Sequence, residues 1–191
     1  KNFLVFLMNK AIFLDRDGVI NHDLGYVHKK GDFIFMDGIF QLTKEAMQNN
    51  YKIIVVTNQA GIGRGYYKES DFCSLTEWMI KKFDSQKIKI DGVYFSPYHP
   101  VYGLGKYKKN HISRKPNPGM INNAISEFNI DPSKSILIGD KVSDIEAGIN
   151  AKVKNLFLFD QDADPETSFH NEEKYFVINS LSQVVMSNEK S

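Results

Sequence analysis

The sequence has a single cysteine, Cys73, among its 191 residues. One thiol excludes an internal disulfide framework and any metal site built from several cysteines. Cys73 lies beside Phe72 and Leu75 in a helical pattern. It is therefore expected as a small core filler, in keeping with the usual burial of cysteine. Surplus charge is missing too: 24 basic and 23 acidic side chains leave a formal net charge of +1. Non-specific nucleic-acid binders carry a basic excess, so no nucleic-acid partner is expected. A small anion needs only a few local cations and stays allowed. Long apolar runs are also lacking. The opening Lys1-Asn-Phe-Leu-Val-Phe-Leu7 is only about one-third of a membrane span. No small-residue cleavage site follows it, and a core strand begins almost at once. No membrane partner is expected, and a cytoplasmic location is. Met8-Asn9-Lys10 reads as a natural start, so residues 1–7 are expected to be upstream sequence. Residues 1–10 then form an extension running into the first strand, and 11–191 a single domain.

What is present is an ordinary globular mix, 42% apolar and 25% charged, enough for one sizeable core. Apolar runs alternate with amphipathic stretches of helix length. Strands are expected at Ala11–Leu14, Lys52–Val56, Gly92–Phe95, Ser135–Ile138, Asn155–Phe159 and Tyr175–Ile178. Helices are expected at Gly38–Asn50, Lys68–Gln86, Pro118–Phe128 and Ser143–Asn150, with a last helical turn over Leu181–Met186. In the second of these, Phe72, Leu75, Met79 and Phe83 recur at three- and four-residue spacing. Such alternation implies an α/β fold: a three-layer, Rossmann-like parallel sheet with helices on both faces. No large cap domain is visible. Residues 97–113 form the one long stretch without periodicity, and a loop of that length is usually functional or mobile.

Ligands of such sheets bind beyond the carboxyl ends of the strands. Three polar clusters follow apolar runs directly: Asp15/Asp17, Thr57/Asn58/Gln59 and Asp140/Asp144. All three are expected at one sheet edge. In Leu14-Asp-Arg-Asp-Gly18, two close carboxylates next to a low-dielectric core repel each other unless a cation offsets them. Mg²⁺ suits oxygen ligands of this kind. A carboxylate can also attack phosphorus, and a second carboxyl can shuttle the proton. A turn with capping aspartates is the alternative. Thr57, Asn58 and Gln59 offer hydrogen bonds to phosphate oxygens, or a cap for the next helix. Gly61-Ile-Gly-Arg-Gly65 has the wrong spacing for a dinucleotide fingerprint and reads as a turn or as flexible backbone near a ligand. Arg114 and Lys115 are adjacent cations before a helix. They could neutralise a phosphoryl group and fork onto a second group, or simply be solvated. Asp140 could complete a metal site with Asp15, and Asp144 could orient Lys115 or the ligand from behind. Acids at a helix N-terminus are the alternative there.

The order Asp-x-Asp, Thr, Lys, Gly-Asp-x-x-x-Asp resembles the haloacid dehalogenase (HAD) superfamily of phosphohydrolases over roughly residues 11–159. That resemblance implies Asp15 as nucleophile and metal ligand. It implies Asp17 as acid/base, also giving the metal its backbone carbonyl, and Asp140 as the other protein ligand of Mg²⁺. Thr57 and Lys115 would hold the phosphoryl group. More narrowly, Asp15-Arg-Asp-Gly18, Gly25-Tyr-Val-His28, Thr57-Asn-Gln59, Leu75-Thr-Glu-Trp-Met79, Arg114-Lys-Pro-Asn-Pro-Gly-Met120 and Gly139-Asp-Lys141 are similar to bacterial heptose bisphosphate phosphatases. By that similarity Asp23, Leu24, Gly25, Tyr26, Asn58, Gln59, Arg114 and Lys141 would touch a small sugar-phosphate substrate. Arg114 would act away from the reacting phosphate. A monomer is expected. A histidinol-phosphate phosphatase is the nearest rival. A phospho-accepting receiver module is the rival of another class, though its acids should be adjacent and its acceptor should follow a later strand.

Many such phosphatases carry a zinc loop of three cysteines and a histidine. The matching positions here are Ser96, Tyr98, His111 and Ser113. Serine and tyrosine are poor zinc ligands, and His99 with His111 cannot close a tetrahedral site. No zinc is expected, and packing of Pro97, Tyr98, Pro100 and Tyr102 would hold the loop instead. His22, His28 and His170 are expected as polar or surface groups.

Overall fold

The structure, a computed structural model, describes residues 8–164 and 175–186. The expectations for residues 1–7 and for His170 lie outside the described residues. Six strands form one sheet: β1 (Lys10–Leu14), β2 (Tyr51–Asn58), β3 (Gly92–Ser96), β4 (Ile136–Gly139), β5 (Asn155–Phe159) and β6 (Phe176–Ile178). Their order is β3-β2-β1-β4-β5-β6, and every neighbouring pair is parallel. The connections reverse direction at β1, which makes its carboxyl end the crevice where such sheets take ligands.

Period-two alternation divides the apolar residues between the two faces. Ile12, Leu14, Ile53, Val55, Ile136 and Ile138 point to one face. There they meet α1 (Ile39–Gln48) and α3 (Glu69–Ser85). Ala11, Phe13, Ile54, Val56 and Leu137 point to the other. They meet α4 (Gly119–Phe128) and α5 (Val142–Asn150). Helix α1 forms because Ile39, Leu42, Thr43 and Ala46 make one buried stripe. It stops before Asn50, which takes a left-handed φ of 60°.

Three local features depart from the sequence reading. Cys73 is exposed, not a core filler. Helix α3 buries Phe72, Leu75, Met79 and Phe83, and one residue on from Phe72 the helix has turned by about 100° towards water. The glycine segment is not a mere turn, since Ala60–Gly63 is a short helix, α2. Its glycines allow close packing: a Cβ on Gly61 would come within 2.2 Å of the Tyr67 ring. The last helical turn expected over Leu181–Met186 is a single 3-10 turn at Leu181–Gln183, shorter than expected. Elsewhere the helices and strands lie within about two residues of their expected bounds.

Candidate active site

The ends of β1, β2 and β4 bring the polar clusters to one cavity of about 200 Å³. Asp15, Asp17, Asp23, Gly25, Tyr26, Asn58, Gln59, Lys115, Lys141 and Asp144 line it, together with Ala60, Tyr67 and Ser143. Thr57 is buried beneath and accepts a hydrogen bond from Gln59 Nε2 at 2.9 Å. Leu24 is exposed and Arg114 half-buried, and neither lines this cavity. The guanidinium of Arg114 donates to the Tyr98 carbonyl at 3.0 Å.

The cavity floor is a buried charge cluster. Lys115 Nζ lies 2.8 Å from Asp15 and 2.5 Å from Asp144, and it donates to the Val56 carbonyl at 2.9 Å. Burial opposes the lysine charge, but Asp144 and Asp15 outweigh it and hold the ammonium above the ordinary lysine range. Asp144 also accepts from the Lys141 backbone N–H, which caps α5. One residue thus starts the helix and seats the lysine.

Anionic charge is in excess there. One carboxylate oxygen each from Asp15, Asp140 and Asp144 lies within 4.8 Å of the others. Burial, then the Asp15 charge, pushes the Asp140 carboxyl from 3.8 up to about 7. Burial also raises Asp15, with the repulsion of Asp144 acting in the same sense and Lys115 against it. Asp140 Oδ1 is buried without a hydrogen-bond partner, so it has a lone pair to give. Hard, crowded oxygens with an orphaned acceptor are the donor set that a small divalent cation satisfies. The nearby backbone is fitted closely. Gly18 adopts φ +95°, and a Cβ there would stand 2.3 Å from the Asp140 carboxyl.

Asp17 is set differently. Its carboxylate accepts from Arg16 at 2.8 Å, from Asn21 at 3.0 Å and from Gln59 at 2.9 Å. It stands outside the Asp15–Asp140–Asp144 group. Asp144, expected to act from behind, is the third member of that group. Gln59 is itself held by the Tyr67 hydroxyl, which donates to Oε1 at 2.6 Å. Burial pushes that hydroxyl up to about 12, so it keeps its proton near neutrality.

Arg16, Asn21 and Tyr67 are absent from the expected site. Arg16 is 1% exposed, with its charge facing Asp17 and the Val27 carbonyl at 2.6 Å. A cation set between two acids was the available signal, because a buried arginine needs such partners. Tyr67 left no comparable trace.

At the rim, Lys141 bridges Asp140 at 3.1 Å and Asp23 at 3.0 Å. His28 stacks on Tyr67 with ring centroids 4.9 Å apart. The loop after β3 is packed as well as long. Tyr98 stacks on His111 at 4.1 Å, His111 Nδ1 meets Ser113 Oγ at 2.7 Å, and Ser113 Oγ donates to Ser96 Oγ at 3.0 Å. The four positions Ser96, Tyr98, His111 and Ser113 therefore form one contact chain.

Comparison with known proteins shows the family and the fold. A family described as HAD-hydrolase-like matches residues 112–184. A D-glycero-alpha-D-manno-heptose-1,7-bisphosphate 7-phosphatase of Burkholderia mallei is 54% identical over 158 residues, covering 82% of this chain and 84% of that protein. A D-glycero-beta-D-manno-heptose-1,7-bisphosphate 7-phosphatase of Haemophilus influenzae is 50% identical over 147 residues, 77% and 79% of the two chains. The crystal structure of D,D-heptose 1,7-bisphosphate phosphatase from B. bronchiseptica, complexed with magnesium and phosphate, shares the fold. It has a TM-score of 0.76 at 24% identity over 91% of this chain and 94% of that one.

Proposed function

We propose that this chain, which belongs to the HAD superfamily and within it to the heptose-1,7-bisphosphate 7-phosphatases, removes the C7 phosphate of D-glycero-D-manno-heptose 1,7-bisphosphate through an aspartyl-phosphate. The observation that carries the reading is the buried Asp15–Lys115–Asp144 cluster beside Asp140 at the floor of a polar cavity. Asp15 presents a carboxylate at the carboxyl end of β1, where it can attack phosphorus in line. Lys115 offsets the charge on the phosphoryl oxygens, and Thr57 and Asn58 offer further hydrogen bonds. Asp17, steered by Arg16, Asn21 and Gln59, gives its proton to the departing sugar oxygen. It then takes a proton from the water that cleaves the acyl phosphate. Asp15, Asp140 and the Asp17 backbone carbonyl would hold Mg²⁺, with Asp144 close by. When bound, that ion neutralises the acids and phosphoryl oxygens together. Phosphate release from heptose 1,7-bisphosphate and histidinol phosphate, each with Mg²⁺, tests the assignment. A higher kcat/KM on histidinol phosphate would refute it.

Charge crowding predicts how stability depends on pH. Asp15 and Asp140 bind protons more tightly folded than unfolded. The metal-free fold therefore loses stability from these groups as pH rises from about 4 towards 7, while Lys115 stays charged throughout. Mg²⁺ counters the exposed repulsion. It should raise Tm more at pH 8 than at pH 5.5, as read by thermal melts with EDTA or Mg²⁺. An equal Mg²⁺ shift at both values would remove the electrostatic account.

The contact chain through Ser96, Ser113, His111 and Tyr98 supports a loop held without zinc. Elemental analysis of protein prepared in zinc-supplemented medium should find less than about one-tenth of an equivalent of zinc, since no thiolate is offered there. Stoichiometric zinc would contradict this.

A further inference from the structure

Arg64 is a cation with no counter-charge among the described residues. It follows α2 directly, and two contacts fix α2 against the loop after β3. The Leu104 N–H donates to the Gly63 carbonyl at 2.7 Å. A Cβ on Gly63 would stand only 2.3 Å from the Pro97 carbonyl oxygen. From this anchored position the guanidinium lies 4.5 Å from the Tyr102 ring centroid and 5.6 Å from that of Tyr26, and Tyr26 lines the cavity. Aromatic faces hold a guanidinium in place without neutralising it. Its Nε is buried and has no hydrogen-bond partner. Among the described residues, neither Arg64 nor Arg114 forms an ion pair. The two cations also feel each other: burial, then the Arg64 charge, holds Arg114 below its ordinary value.

We infer that Arg64 is a specificity-determining residue which, with Arg114, receives the second phosphate of a sugar bisphosphate, the one that remains on the product. The inference rests on the bisphosphate reading above. Arg64 against the Tyr102 ring and Arg114 on the Tyr98 carbonyl both flank the loop after β3, and two forked cations without an ion pair among the described residues suit the charge of a phosphate dianion. The reacting phosphoryl group already faces Lys115 on the cavity floor. Arg64 is not among the cavity-lining residues, so its charge serves a group further out.

The test compares D-glycero-D-manno-heptose 1,7-bisphosphate with D-glycero-D-manno-heptose 7-phosphate, which lacks the second phosphate, in wild type, Arg64→Met and Arg64→Lys. Arg64→Met should raise KM for the bisphosphate about 30-fold, the size of a lost charge-assisted contact. The kcat should stay within about threefold of wild type, since uniform binding is what is removed. KM for the monophosphate should not change. Arg64→Lys keeps the charge and loses the fork, and should fall between. If Arg64→Met does not fold, Arg64→Lys carries the same comparison. Equal losses on both substrates, or a fall in kcat alone, would overturn the role of Arg64. A wild-type enzyme that does not distinguish the two substrates would overturn the bisphosphate reading, and this site with it.

Discussion

Asp15→Asn should reduce phosphate release by about four orders of magnitude or more, because it removes the carboxylate proposed to form the acyl phosphate. The protein should nevertheless fold as well as the wild type, or better, without metal. Asparagine has the same shape, and the exchange removes one of three crowded carboxylates. Lys115 retains Asp144 as its partner at 2.5 Å. The Mg²⁺-induced rise in Tm should shrink, since a ligand and a charge are both gone. Mass spectrometry of wild type quenched with substrate should show a phosphoryl adduct that the variant lacks. Wild-type-like turnover by Asp15→Asn would end the covalent route.

The second large effect concerns Lys115. Its side chain is 2% exposed and faces Asp15, Asp144 and the Val56 carbonyl. Lys115→Met fills the space but leaves two buried carboxylates uncompensated. Removing one partner from a buried ion pair costs about 3–5 kcal/mol. For a chain of this size that is roughly 6–20 °C in Tm. Activity should fall by about a thousandfold or more as charge stabilisation of the phosphoryl group is lost. Adding Asp144→Asn should restore part of the Tm and none of the activity. This separates the lysine's structural role from its chemical one. A Lys115→Met protein that melts with the wild type in EDTA would show that the cluster is not held by charge.

Much of this site could be read from the chain because each element ends as it begins to carry chemistry. The apolar runs of β1 and β4 stop where acids start, and β2 ends in Thr57 and Asn58. In a parallel sheet those ends are neighbours, so sequence order became spatial order. The shared face of Phe72, Leu75, Met79 and Phe83 was legible for the same reason, since helical spacing alone sets it. Cys73 was misread because residue type outweighed position: the helix turns it to water whatever its chemistry. Arg16 could have been flagged by the acids on either side of it, but its bond to the Val27 carbonyl eleven residues on could not. Tyr67 was illegible because it is held by Gln59, eight residues back, a partner it meets only in three dimensions. No periodicity records such pairings. Leu24, expected at the substrate by resemblance, is exposed and outside the cavity lining.

The turn at Gly18 has a wider consequence. Its backbone presses on the Asp140 carboxyl with no room for even a methyl group between them. The segments leaving β1 and β4 therefore cannot slide past one another independently. Gly18 thus ties the main chain three residues beyond Asp15 to the Asp140 side chain. For the proposed displacement at phosphorus, that contact limits how far the Asp15 and Asp140 segments can drift apart before a ligand arrives.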